Sequence, residues 1–345
     1  MQESTALLDG TSLEALRDGK NLLAFSGGVD STALFFLLLE AKITFDIAIV
    51  NYNTRASSRE EEEYAKELAL EYGKRCFALS AEPPKKNFEA EARRIRYDFF
   101  DGIIAEQGYK NLITAHQLND RLEWFFMRLS KGAGLKEMLS SGSITKKDGY
   151  KVVKPLFGTD KKKLYDYLQK YEIKYYEDES NIDPKYERNL MRNSFSNKFL
   201  ELFGDGVKRS FEILDTEVSA LKADSFGQNS IIVFYSKGET TDKINIASAL
   251  KKIGYLPSKA QREEAASGYD TVLGGRFAVA KNSENLIFIS PFVKQDIPKQ
   301  FRERCREARI PQKIRGYLYT LQKNPIEFKK EIIDYFLAKE VGSKK

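Results

Sequence analysis

Through the first 115 residues, four short apolar runs alternate with helical patterns. "LLAF" (22–25), "FDIAIVN" (45–51), "RCFALS" (75–80) and "NLITAH" (111–116) read as strands. Between them, "STALFFLLLEA" (31–41), "SSREEEEYAKELALEYG" (57–73) and "NFEAEARRIRYDFFDGIIAEQG" (87–108) read as helices. The second is opened by serine and closed at Gly73. Such a repeat predicts an α/β fold with a doubly wound parallel sheet. Ligands of such sheets bind beyond the carboxyl ends of the strands. "QLNDRLEWFFMRLSKG" (117–132) and "KKKLYDYLQKYEI" (161–173) continue as helices.

From about Gly204 the texture changes. "SIIVFYSKG", "GGRFAVAKN" and "NLIFIS" read as short strands around turns, with "KINIASALKKIGY" as a helix between them. This predicts a smaller α+β C-terminal region. The expected organisation is a catalytic domain over 1–204 (170–204 a helical extension), an α+β domain over 205–294, and a short basic, mostly helical tail over 295–345. At ~150 residues per domain, 345 residues suit two domains and a small third piece. The net charge of +6 sits at the end: residues 301–345 hold 12 Lys+Arg against 6 Asp+Glu, and the rest is balanced. A basic end suits contact with phosphate backbones, although a solvated helical face would look the same. No apolar run approaches the ~20 residues of a spanning helix, and "MQESTALLDG" lacks a secretory pattern. Cys76 and Cys305 have no metal-type or redox spacing. A cytoplasmic protein without a membrane partner is expected.

Chemistry concentrates first at Ser26-Gly27-Gly28-Val29-Asp30-Ser31, followed by Thr32. The stretch follows a strand and opens a helix. Glycines let backbone N–H groups approach an anion closely, and the helix N-terminus adds partial positive charge. Asp30 beside phosphate calls for a bridging cation, hence Mg²⁺. Gly-Lys-Ser/Thr is missing, so this is not the common P-loop. The stretch resembles the pyrophosphate loop of the ATP pyrophosphatase (PP-loop) superfamily. That resemblance implies an adenine nucleotide α-hydrolase-like fold and ATP cleaved between its α- and β-phosphates, with an oxygen adenylated and AMP later displaced.

Three later stretches narrow the acceptor. In "NFEAEARRIRYDFF" (87–100), Glu89, Arg93, Arg96 and Tyr97 share a helix side through i+3/i+4 spacing, and two arginines there suit a phosphate or carboxylate. In "TAHQLNDRLEWFFMRLSKGAGL" (114–135), the lone histidine, His116, ends a strand at the carboxyl edge, and Asp120 and Glu123 share a helix face. One of these could hold Mg²⁺ with Asp30. The other could orient a substrate ammonium or accept its proton. In "YYEDESNIDPKYERNLMRNSF" (175–195), Arg188 and Arg192 stand one turn apart as a plausible phosphate clamp. The three stretches resemble the tRNA(Ile)-lysidine synthetase family. The matching residues are Asn87, Glu89, Ala92, Arg93, Arg96, Tyr97 and Phe99; then His116, Asp120, Glu123, Arg128, Gly132 and Gly134; then Asp178, Ser180, Asn181, Asp183, Arg188, Asn189 and Arg192. "KPLF" (154–157) stands where that family has Arg-Pro-Leu-Leu. The chain departs at Asn51-Tyr52-Asn53-Thr54-Arg55, where only Arg55 matches, and at His116-Gln117 and Asn119-Asp120, which replace His-His and Asp-Asp. The C-terminal segments "RFAVAKNSENLIFIS" and "EARIPQKIRGYLY" are also similar to family segments.

The resemblance implies a carbon–nitrogen ligase acting on the isoleucine tRNA with anticodon CAU. ATP would adenylate O2 of the wobble cytidine, and the ε-amine of free L-lysine would displace AMP at C2, giving lysidine. The implied catalytic residues are Asp30, Asp120 and Glu123. The implied ATP contacts are Ser26 through Thr32, Arg55, His116 and Gly134. Arg93, Arg96, Arg128, Asp178, Asn181, Arg188 and Arg192 would meet tRNA or lysine, and Asp30 and Asp120 would hold Mg²⁺. Homodimers are common among relatives. The rival readings are a PP-loop tRNA thiolase, against which the cysteine spacing argues, and a non-catalytic tRNA-binding relative.

Overall fold

The computed structural model describes residues 4–53, 57–84, 88–139, 141–177 and 187–342. Contacts divide the chain into two units, Met1–Asp215 and Thr216–Lys345.

The first unit runs α1 (Gly10–Arg17), β1 (Asn21–Ala24), α2 (Val29–Glu40), β2 (Phe45–Asn51), α3 (Ser57–Glu71), β3 (Cys76–Ser80), α4 (Phe88–Gln107), β4 (Asn111–Ile113), α5 (Leu118–Leu129) and α6 (Leu135–Met138). It continues through β5 (Ile144–Lys147), β6 (Tyr150–Val153), α7 (Lys161–Lys170), α8 (Glu187–Met191) and a π-helical stretch, Arg192–Ser196, into α9 (Asn197–Leu221). The strand order is β3-β2-β1-β4-β6-β5. All pairings are parallel except β5 with β6, which form a hairpin. Its turn is Asp148-Gly149, with Gly149 at φ +87°.

Alternate strand residues enter different cores, because successive side chains point to opposite faces. Leu23, Ile47, Ile49, Ile113 and Val153 pack with α1, α2, α3 and α7. Leu22, Ala48, Leu112 and Val152 pack with Phe100, Ile103 and Ile104 of α4. Helices therefore cover both faces, the doubly wound arrangement the sequence implies. α2 is unusual in being buried nearly all round: Ala33, Leu34, Phe35, Leu37 and Leu38 are fully buried. The chain leaves β1 toward β2 on one side, and β4 pairs on the other. The carboxyl ends of β1 and β4 thus form the switch-point crevice where such sheets bind ligands.

The second unit holds β7 (Ser225–Gln228), β8 (Ile231–Tyr235), α10 (Glu239–Lys252), α11 (Lys259–Gly268), β9 (Asp270–Leu273), β10 (Phe277–Lys281), β11 (Leu286–Pro291), α12 (Lys299–Glu307), α13 (Gln312–Thr320) and α14 (Pro325–Gly342). Its antiparallel sheet has the order β7-β8-β11-β10-β9. Ile232, Phe234, Val279 and Ile287 face α10 and α11. Ile231, Val233, Ala278 and Phe288 face Cys305, Ile314, Leu318, Phe328 and Ile332 of the last three helices.

Two boundaries differ from those expected from sequence. The division falls at Asp215/Thr216 rather than 204/205, because α9 continues through that point with a kink at Phe203. The 295–345 segment is half of the second unit's core rather than a tail, because its apolar residues cover one sheet face. Part of its positive charge is also spent locally: Arg309 and Lys329 pair with Glu284, and Lys313 with Asp270. At Gly316 a Cβ would lie 2.0 Å from the Val293 carbonyl oxygen, which leaves no room for a side chain. Gly316→Ala is therefore expected to lower the stability of the second unit by about 1–3 kcal/mol or more. Urea unfolding followed by tyrosine fluorescence measures it.

Candidate active site

The loop after β1 turns at Gly27, whose φ of +74° is accessible chiefly to glycine. Gly28 then caps α2 without any side-chain hydrogen bond, so no cap covers the first-turn N–H groups. Inside the loop, Ser31 Oγ donates to the Gly28 carbonyl at 3.1 Å and accepts from Ser26 N at 3.2 Å. Ser26 Oγ lies 3.1 Å from Ser31 Oγ. Tyr176 N donates to the Gly27 carbonyl at 2.9 Å, which fixes the loop's outer edge. Val29 and Thr32 are buried, and among the described residues Thr32 Oγ1 has no hydrogen-bond partner. Together these features form an anion cradle: an open helix N-terminus with a self-braced hydroxyl pair.

Asp30 projects from the first turn of α2. Its Oδ1 is buried without a hydrogen-bond partner among the described residues. Burial pushes its carboxyl up to about 6; Lys161 opposes this, and Asp120 adds to it.

On the neighbouring strand end, Gln117 caps α5. Its side chain accepts from Asn119 N at 2.5 Å, while Asp120 Oδ2 accepts from Gln117 N at 3.1 Å. Asn119 is buried; its Oδ1 accepts from Lys161 N at 3.1 Å, and its Nδ2 donates to Asn197 Oδ1 at 2.9 Å. The two departures from the family pattern are thus a helix cap and a tie between α5, α7 and α9.

Asp120 and Glu123 meet Arg188 and Arg192. Arg188 Nη2 donates to Asp120 Oδ1 at 2.5 Å, and its Nε to Glu123 Oε2 at 2.9 Å. Arg192 Nε donates to Glu123 Oε1 at 2.7 Å, and its Nη2 to Glu123 Oε2 at 3.2 Å. The Glu123 side chain is 1% exposed, so its carboxylate is shielded from solvent. Burial alone would raise the Asp120 carboxyl, but Arg188 above all, with His116 and the Gln117 amide, holds it below its ordinary value. Burial likewise disfavours the Arg188 charge, but Asp120 and Glu123 outweigh it and hold its guanidinium firmly protonated.

His116 Nδ1 lies 2.9 Å from Thr114 Oγ1. Burial lowers its imidazole to about 4, so the ring is neutral at pH 7. Lys154, just after β6, is a site residue that sequence reading did not single out. It is buried, and its Nζ donates to Ser141 O, Ser141 Oγ and Gly142 O at 3.0, 2.9 and 3.3 Å. Burial first, then Arg93 and Arg121, lower its ammonium to about 8. Its signal was its place as the first residue of "KPLF", where the family has arginine; its burial at the end of β6 shows only in the fold.

Arg93 and Arg96 are exposed on α4. Arg93 stacks on Tyr97, 4.8 Å from the ring centroid, and its field reaches His116 and Lys154. The structure therefore gathers the glycine loop, Asp30, His116, Asp120, Glu123, Arg93, Arg188 and Arg192 around one sheet edge. Arg128 lies two turns along α5 from Asp120, about 12 Å by helix rise, and stacks on Trp124. Gly134 opens α6. Among the described residues, no hydrogen bond or ion pair ties Arg128 or Gly134 to the carboxylate pair. Arg55, Asp178 and Asn181 lie outside the described residues.

Comparison with known proteins is consistent with this geometry. Residues 5–199 match the family model described as a PP-loop domain. The tRNA(Ile)-lysidine synthase of Wolinella succinogenes is 47% identical, over 89% of this chain and 94% of that protein. The enzymes of the same name from Campylobacter jejuni and Helicobacter pylori are 45% and 38% identical, over 89% and 95% of this chain and 95% and 96% of theirs. Among solved structures, the U34-tRNA thiolase NcsA of Methanococcus maripaludis shares the fold. Its TM-score is 0.51 at 17% identity, over 62% of this chain and 79% of that one. Near-full-length identity at this level, joined to a PP-loop match across the first unit, has one consequence: the chain belongs to the tRNA(Ile)-lysidine synthase family.

Proposed function

We propose that this protein ligates free L-lysine to C2 of the wobble cytidine in the CAU-anticodon isoleucine tRNA. It consumes ATP and acts in the cytoplasm. The observation that carries the reading is the uncapped loop at Gly28 facing a carboxylate pair from the next strand end, both at the switch point. The loop N–H groups receive the pyrophosphate as it leaves, where negative charge develops. The cytidine O2 attacks the α-phosphate, and the O–P bond forms as the bond to pyrophosphate breaks. The lysine amine then attacks C2, the C2–O bond breaks, and AMP leaves.

The amine has an ordinary pKa of about 10.4 and must shed its proton to attack. Asp120 and Glu123 receive the ammonium and accept that proton. Arg188 and Arg192 are paired with the two carboxylates and yield them as the ammonium enters. His116 stays neutral and serves as a hydrogen-bonding contact to the nucleotide. Mg²⁺ fits Asp30, whose orphaned Oδ1 awaits a partner. Asp120 fits less well, since both of its oxygens are engaged. Among the described residues no three carboxylate, histidine or cysteine side chains are placed to hold one metal ion together, so phosphate and water would complete the ion's shell. When bound, the ion supplies neutralisation of phosphate charge. Exposed Arg302, Arg304 and Arg306 of α12 are the proposed contacts to tRNA phosphates.

The thiolase reading is weakened by where the thiols lie. Cys76 begins β3 at the amino edge, away from the site, and Cys305 is buried in the second unit's core. Incubation with ATP, labelled lysine and CAU-anticodon tRNA is expected to give lysine in the RNA, with AMP and pyrophosphate in equal amounts. Binding without transfer would favour a non-catalytic relative; sulfur incorporation would favour a thiolase.

A further inference from the structure

Helix α4 is anchored unevenly. Its buried residues are Ala92, Phe100, Ile103 and Ile104, so in the N-terminal half Ala92 alone is buried and Tyr97 only partly packs on the core. That half carries Arg93 and Arg96, both exposed. From the sheet, Lys147 Nζ of β5 lies 4.5 Å from the Tyr97 ring centroid, and one side chain reaches the turn between Arg93 and Arg96. Tyr52 follows the last residue of β2, and its hydroxyl donates to the Ala92 carbonyl at 2.5 Å. Its ring meets Phe88 edge-on, with centroids 6.0 Å apart. Ala92 O is also where the helical N–H of Arg96 bonds, so the phenol lands between the two arginines.

Tyr52 is itself braced on both sides. Asn51 Oδ1 accepts from Asn53 N at 2.8 Å, and Asn51 Nδ2 donates to Glu62 Oε2 of α3 at 3.0 Å. Asn53 takes a left-handed φ of 51°, which asparagine tolerates, and its Nδ2 donates to Ser80 Oγ at the end of β3 at 3.0 Å. The Asn-Tyr-Asn segment that departs from the family pattern is therefore a strut from the sheet edge to the overhanging turns of α4.

We propose that Tyr52 is a positioning residue that fixes the first turns of α4, so that Arg93 and Arg96 present their guanidinium groups to an anionic group of the acceptor pair. That group is a tRNA phosphate or the lysine carboxylate. The inference rests on the lysidine-forming reading. Tyr52→Ala is expected to raise the KM for tRNA or for lysine about five- to tenfold, the loss of one well-placed contact. The kcat and the KM for ATP stay within about twofold. Amide hydrogens of residues 90–97 exchange faster, and Tyr52→Phe, which keeps the ring contact, falls between. A raised tRNA KM with a flatter salt dependence assigns the phosphate, and a raised lysine KM at unchanged tRNA affinity assigns the carboxylate. Unchanged KM values for both substrates, or an equal loss in ATP use and melting temperature, would overturn the proposal. A wild-type chain that transfers no lysine would count against the reaction instead. In that case α4 exchange and direct tRNA affinity of Tyr52→Ala still decide the role of Tyr52.

Discussion

Asp30→Asn is expected to make the folded protein more stable and the enzyme nearly inactive. Burial raises the Asp30 carboxyl from 3.8 to about 6. A carboxyl whose folded pKa exceeds its unfolded one favours folding at low pH, and that contribution is lost as pH rises through the folded value. Below about pH 4 both states carry the proton, and the acid costs nothing. Between about pH 4 and 6 the penalty grows, and above about 6 it is constant. A shift of about two units corresponds to about 3 kcal/mol. Asparagine carries no charge at any pH, so the gain from Asp30→Asn should be near zero at pH 4 and level off above pH 6. Melting temperatures at pH 4, 5, 6 and 7.5 without nucleotide measure it; an even gain at all four would show that charge is not the cause. ATP turnover is expected to fall ~10²–10³-fold, the scale seen when a preorganised charge-stabilising group is removed. Stability gained and activity lost together mark a residue kept for its function.

Glu123→Ala should cost both stability and activity. Glu123 is the hub of the ion cluster, bonded to both arginines and 1% exposed. Removing one partner of a buried pair strands the other charge, typically at about 3–5 kcal/mol. Lysine transfer is expected to fall at least ~10³-fold. The two effects can be separated. The double variant Glu123→Ala/Arg192→Ala removes the charge that loses its nearest counter-ion and should recover part of the stability, as coupled neighbours do in a double-mutant cycle. It should recover none of the activity. If it did regain lysine transfer, Glu123 would be only a structural counter-ion. Pre-steady-state AMP and pyrophosphate release would then locate the lost step.

The α/β core was legible because its signals are local. β2 spans Phe45–Asn51, the full run expected, since an apolar run buried on both faces is bounded there by polar residues. The glycine loop was legible for the same reason: strand, turn and helix N-terminus are contiguous. Residues joined only through the fold were not. Gln117 and Asn119 looked like missing functional groups, and their roles as cap and inter-helix tie appear only once α7 and α9 are in place. The β5–β6 hairpin escaped notice because lysines dilute its alternation, although Asp148-Gly149 marked its turn. Arg121 is buried against Phe157 and Phe211 and paired with Asp215, a partner 94 residues away that no local pattern points to. The basic charge of 301–345 hid the apolar stripes of α12–α14, which only a sheet face could explain.

The nearly all-round burial of α2 has a consequence for how the site binds. A helix enclosed by core side chains over most of its surface cannot tilt or slide without opening cavities, each costing kcal/mol. Its N-terminal dipole is therefore aimed before any nucleotide arrives, and no reorganisation is needed when charge develops on the leaving phosphates. Adjustment on binding must come from the cover rather than the post: from the Tyr176 segment bridged to Gly28, the α4 overhang and the paired arginines. Affinity for pyrophosphate should thus be a property set at folding, while selectivity for the acceptor is set by the parts that can still move.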